Sequence, residues 1–158
     1  MTIKIQSTAF TPNGVIPKEY TGEGKDFSPA LTWSNLPPQT KELVLIVDDP
    51  DAPTPQPWVH WLIYKISPNL GGLPQAVPTT ARLQEPHGAL QGVTSFGKTG
   101  YGGPMPPRGH GVHHYHFKIY ALGEPLPVSS GLDKDQLLAA MQGKVLATGE
   151  LIGTYQRA

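Results

Sequence analysis

The sequence predicts an all-β protein, a two-sheet antiparallel β-sandwich with one short helix in the C-terminal half. Three observations predict it. Glycine and proline supply 18 residues each in a chain of 158, and both residues break helices and mark turns. Between the Gly/Pro clusters lie apolar runs of strand length. A single short segment carries helix start and stop signals.

The elements follow in order. Residues 3–6 alternate and open the chain as a strand, and residues 31–33 form a short second strand. The run LVLIV at 43–47 is apolar throughout, as a strand buried on both faces would be. Residues 58–66, WVHWLIYKI, are rich in aromatic and branched side chains and read as another central strand. Residues 113–122 alternate, with His113, Tyr115, Phe117, Ile119 and Ala121 on one face. Residues 133–142 are the helix, with Asp133 as its cap and Gly143 as its stop. A last strand within 146–155 is weakened by Gly149 and Gly153. No repeat or composition shift divides the chain, so residues 1–158 read as one domain.

Composition excludes several functions. Lys and Arg total 12, as do Asp and Glu, so no net positive field is available for nucleic acid or an anionic membrane. Without cysteine, disulfide scaffolds, zinc ribbons and thiol catalysis drop out. Residues 1–20 lack a basic segment followed by an apolar run, so no secretory signal is expected. No stretch nears the ~18 apolar residues of a membrane span. The expected location is cytoplasmic.

Two motifs mislead. Residues 92–99, GVTSFGKT, match the phosphate-binding pattern G-x-x-x-x-G-K-[ST]. That pattern works only between a buried strand and a helix. Here Pro86 and Gly88 precede it and GYGGPMPP follows, so a glycine-rich loop is expected. His114 and His116 have metal-ligand spacing on a strand, but Lys118 shares their face and no carboxylate of the strand does. No metal and no cofactor are expected.

Three other segments concentrate chemistry. Asp48-Asp49-Pro50-Asp51-Ala52-Pro53 follows the buried run directly, and buried carboxylates need partners. For Asp48 and Asp51, turn chemistry is an equal explanation. Trp58-Val59-His60-Trp61 comes next; by period two, His60 shares a face with Trp58, Leu62, Tyr64 and Ile66. The third segment runs from Pro104 to Tyr115, PMPPRGHGVHHY. It places His113 and Tyr115 where a core face meets a rigid loop.

D-P-D-A-P, then W-x-H-W, then P-P-x-G-x-G-x-H-x-Y together resemble the phosphatidylethanolamine-binding protein family. That family includes Raf kinase inhibitor protein. Ser28-Pro29, the loop FGKTGY at 96–101 and the short C-terminus resemble its bacterial and archaeal branch. The resemblance covers nearly the whole chain. It implies a β-sandwich with a small pocket for phosphate-like and carboxylate groups. Carried over by motif, Asp49, His60, His113 and Tyr115 form the pocket, and Pro53, Trp58, Met105 and Pro106 line it. It also implies a regulatory protein that inhibits kinases or serine proteases. One departure is His114, where the family usually has Arg.

The expected function is therefore non-enzymatic binding of an anionic small group, free or on a phosphorylated partner, with a homodimer left open. The alternatives are a protease inhibitor acting through residues 84–99, and a hydrolase using Asp49 with His60 or His113 as base. Asp49 is expected to orient a pocket histidine, His60 first, so that the charged ring donates to the anion. Backbone N–H groups of residues 103–109 are expected to complete the cradle. A sharp turn is needed after the buried strand, so the Ala52–Pro53 bond is expected to be cis.

Overall fold

In the computed structural model, which describes residues 2–158, eight strands form two sheets. Strands β1 (Lys4–Gln6), β2 (Leu31–Ser34) and β5 (Gly72–Leu73) make the smaller sheet, in the order β1-β2-β5. The larger sheet runs β6-β4-β3-β7-β8. Its members are β3 (Glu42–Asp49), β4 (Trp58–Ile66), β6 (Leu90–Gln91), β7 (His113–Leu122) and β8 (Val145–Tyr155). Every pairing between these strands is antiparallel. No helix among the described residues is long and apolar enough to cross a membrane.

β3 is central and buried from Leu43 onward, as its unbroken apolar run requires. Leu43, Leu45 and Val47 enter the core between the sheets, beside Trp33, Trp61 and Phe117. Val44 and Ile46 face the other way, into a second core closed by Leu137 and Met141 of helix α1 (Lys134–Met141). Asp133 caps α1 in a reciprocal arrangement with Gln136, which satisfies backbone donors at the helix start.

The sequence reading needs three corrections here. β8 is not weakened by its glycines; it continues over eleven residues because small residues are required there. A Cβ on Gly149 would lie 2.2 Å from the Ile3 carbonyl oxygen, and one on Gly153 would meet Ile16 and Phe10. The Ala52–Pro53 bond is not cis; the cis bond among the described residues is Glu85–Pro86. The reversal at 49–54 is made by local hydrogen bonds instead. Asp49 Oδ1 accepts from the Asp51 N–H at 2.8 Å, and the Thr54 N–H donates to the Ala52 carbonyl. An Asx turn of this kind does the work assigned to the cis bond.

The third correction concerns His60. Val47 pairs with Trp61 and Asp48 with Val59, so His60 is the extra residue of a β-bulge. Leu62 and Tyr64 pack toward α1 while Trp61 packs between the sheets. Strict alternation would send His60 with Leu62. The bulge turns it to the opposite side, where its ring meets Tyr115 edge-on at 5.1 Å. Bulges re-aim a side chain in this way.

Residues 92–99 form a loop, not a phosphate cradle. Val93 bridges Thr99, and the Thr94 N–H and hydroxyl both donate to the Lys98 carbonyl. No helix follows.

Candidate functional site

The C-terminal end of β3, the start of β4 and the start of β7 converge at one end of the larger sheet. There they enclose a cavity of about 220 Å³. Asp49, His60, His113 and Tyr115 all line it, as do Pro53, Trp58, Met105 and Pro106. Ala52, Thr54, Phe96 and Pro107 complete the wall. Proline and the Asx turn hold the 49–54 segment, and the 104–107 segment has little backbone freedom because three of its four residues are proline.

Asp49 is 3% exposed and His113 1%. Asp49 Oδ2 accepts a hydrogen bond from His113 Nδ1 at 2.6 Å. The partner of Asp49 is therefore His113 and not His60. Its other oxygen accepts from the Asp51 N–H, so both carboxylate oxygens are engaged in holding the site. His113 Nε2 in turn lies 2.6 Å from His110 Nδ1.

His60 is held by Gly102 from both directions. The Gly102 N–H donates to the His60 carbonyl at 2.9 Å, and His60 Nδ1 donates to the Gly102 carbonyl at 2.6 Å. A carbonyl only accepts, so Nδ1 carries the hydrogen. Burial pushes the His60 ring below its ordinary pKa, outweighing the Gly102 carbonyl and the Asp49 charge, which act the other way. His60 is thus a neutral ring whose Nε2 is an acceptor, not the charged donor expected. Phe96 and Tyr115 pack against it in T-shaped contacts, with ring centroids 5.3 and 5.1 Å away.

Tyr115 stacks on His113 with ring centroids 6.4 Å apart. Burial first, and then the Asp49 charge, push its hydroxyl far above the ordinary tyrosine range. It stays a neutral phenol that can donate to an anion. The backbone cradle expected from residues 103–109 is mostly spent. Pro104, Pro106 and Pro107 have no N–H. Gly103 donates to Asp26 and Gly109 to the Arg157 carbonyl. Met105 and Arg108 remain.

Asp48 and Asp51 lie outside the cavity lining. Asp48 points to the opposite face of β3, where Lys134 Nζ is 2.7 Å away and Lys118 Nζ 3.8 Å away; it ties α1 to the sheet. Asp51 Oδ2 accepts from both the backbone N–H and Nδ1 of His114, at 2.8 and 2.7 Å. Burial opposes the charge of Asp51, but His114 outweighs it and holds the carboxyl below its usual range. His114 therefore pairs with a carboxylate at the position where the resemblance leads us to expect Arg. The outer face of β7 is also not free of carboxylates, because His116 pairs with Glu150 of β8 at 3.0 Å. Among the described residues, no group of three His, Cys, Asp or Glu side chains is placed to hold a metal ion.

The chain matches the phosphatidylethanolamine-binding protein family over residues 6–156. It belongs to that family. A UPF0098 protein of Pyrococcus horikoshii is 45% identical, with 99% of this chain and 78% of that protein covered. The crystal structure of YbcL from E. coli, described as a member of the mammalian family of these proteins, is 32% identical over the full length of both chains, with a TM-score of 0.92. A phosphatidylethanolamine-binding protein homologue of Chlamydia trachomatis, CT736, is 38% identical over 99% of each chain, with a TM-score of 0.88. These relatives place the chain in the bacterial and archaeal branch of the phosphatidylethanolamine-binding proteins.

Sequence reasoning missed His110 and Phe96 at this site. His110 lay inside the quoted motif, but nothing in its spacing tied it to His113. Phe96 was hidden in the loop whose pattern mimicked a nucleotide site.

Proposed function

We propose that this member of the family is a non-enzymatic binding and regulatory protein. Its pocket takes the phosphate-like or carboxylate head of a small ligand or of a phosphorylated partner protein. The Asp49–His113 pair supports this reading: a buried carboxylate in the cavity wall holds one nitrogen of a ring that also lines the cavity. Tyr115 adds a neutral hydroxyl, and neutral His60 adds an acceptor that suits an anion still carrying a hydrogen, such as a phosphate monoanion. Phe96 and Met105 remain 39% and 44% exposed at the rim, which favours a head group attached to something apolar.

Two observations weigh against the other readings. The lining hydroxyl besides Tyr115 is Thr54, which donates to the Gln56 carbonyl rather than to a histidine, so no activated nucleophile accompanies the dyad. Residues 92–95 are held against the fold rather than free to enter a protease cleft, because the Gly92, Val93 and Ser95 N–H groups donate to the Leu62, Leu132 and Val59 carbonyls. Kinase or protease regulation would then run through the pocket and its rim.

Calorimetric titration with phenyl phosphate tests the reading, with His113→Ala as the control. The parent is expected to bind, and the variant to lose ~1.5–3 kcal/mol of affinity, the worth of a hydrogen bond to a charged group. Turnover of the ester by the parent, abolished in His113→Ala, would favour the hydrolase instead.

A further inference from the structure

The nitrogen that an anion needs is already occupied. With His113 Nδ1 bonded to Asp49, the ring's remaining nitrogen is Nε2, and His110 Nδ1 sits on it at 2.6 Å. The two rings are tilted by 57° with centroids 4.8 Å apart. His110 itself is exposed. It stands between Gly109 and Gly111, whose φ values of 70° and 93° are readily adopted by glycine. No neighbouring atom lies within 4 Å of where a Cβ would stand on either glycine. The backbone is anchored, by His110 N–H to the Pro107 carbonyl and Gly109 N–H to the Arg157 carbonyl. A turn of the side chain alone therefore clears His113.

We propose that His110 is a latch on the anion pocket: it holds the His113 donor position, and a ligand must displace it. The inference rests on the anion-binding reading above. The latch is sensitive to protons by simple counting. The nitrogen–nitrogen contact has room for one hydrogen, so one ring donates and the other accepts. When both imidazoles are protonated, two N–H groups face each other and the contact opens. The surroundings decide which ring leaves. His113 keeps Asp49 against its far edge, with Tyr115 stacked on it, neutral His60 in the same cavity wall, and Asp51 held nearby by His114. His110 has Arg108 two residues before it in the chain. Arg157, whose carbonyl holds Gly109, is paired with Glu23. The ring with the carboxylate stays, and His110 turns out to solvent. Acidification then frees a charged donor in the cavity, so the pocket opens as it gains affinity for an anion.

Methyl sulfate, whose single charge is constant between about pH 5.5 and 7.5, is the probe, used with the parent and with His110→Ala. Calorimetry should show the variant binding about fivefold tighter at the neutral end, the worth of one displaced hydrogen bond. The advantage should shrink as the pH is lowered, because two facing N–H groups cannot keep the parent's contact closed. Equal or weaker binding by His110→Ala at the neutral end overturns the latch. Imidazole nitrogen NMR separates this from failure of the pocket itself. If methyl sulfate gives no heat and moves no His113 ring signal in either protein, the anion reading fails. The latch is then judged on ligand-free spectra: the His113 Nε2 signal must shift between parent and His110→Ala, and an unchanged signal overturns it.

Discussion

Asp49 on β3 and His113 on β7 meet at 2.6 Å across neighbouring strands of the larger sheet, both buried, with the carboxylate's second oxygen closed by the Asp51 N–H. Breaking a buried pair by removing one partner strands the other's charge or polarity. Asp49→Asn is therefore expected to weaken anion binding although residue 49 does not donate to the ligand. His113→Ala is expected to cost about 3 kcal/mol of folding stability as well as affinity. Urea unfolding of both variants checks the second effect, and unchanged midpoints would count against the pair.

The His60 ring sets a pH dependence of stability. Its folded pKa lies below the unfolded value because burial disfavours the charged ring. Above the unfolded pKa, near ~6.5, both states are neutral and the ring contributes no slope. Below it the unfolded chain takes up a proton that the folded chain refuses. Stability should then fall by up to ~1.4 kcal/mol per pH unit on acidification. Asp51, whose pKa is lowered, loses its contribution only as pH drops through the more acidic carboxylate range. Urea titrations at several pH values should show the slope in the parent and its loss in His60→Gln.

Ligand choice should follow the hydrogen that His60 accepts. Phenyl phosphate as the monoanion carries a P–OH that Nε2 can take, and phenyl sulfate does not. The phosphate ester should bind more tightly below the second ionisation near ~6, with the difference closing above it. Phenyl sulfate, which carries no such hydrogen, should show no change in affinity at that ionisation. Parallel calorimetry of the two esters checks both trends. A preference unchanged by His60→Ala would remove His60 from recognition.

The loop GVTSFGKT should prove irrelevant to nucleotides. Lys98→Ala is expected to leave folding and phenyl phosphate affinity unchanged, since the Thr94–Lys98 turn is held by the Lys98 backbone carbonyl. ATP affinity in the parent that disappears in the variant would contradict this.

Gly149→Ala is expected to destabilise the fold, because its Cβ would collide with the Ile3 carbonyl where the chain start crosses β8. A loss of several kcal/mol fits a clash with backbone that cannot move aside. A thermal melt measures it.

Much of the fold was legible because its strands obey period two or are apolar throughout. β4 and β7 have the expected bounds, and α1 lies within its expected span. β5 and β6 have two residues each, too few to show alternation. Which side His60 faces was not legible, because the bulge that turns it depends on how β3 and β4 register. The choice between His60 and His113 as partner of Asp49 depended on that same bulge and on Gly102, a residue 42 positions from His60. The pocket residues could be read from their motifs; the hydrogen-bond directions among them could not. Those directions turned His60 from a charged donor into a neutral acceptor.

The most direct test of the pocket is a crystal structure of the protein grown with phosphate. The account predicts a phosphate between His60 and His113, within hydrogen-bond distance of His113 Nε2 and the Tyr115 hydroxyl, with the His110 ring turned away. A cavity without phosphate, in a crystal that binds phosphate elsewhere on the surface, would contradict it.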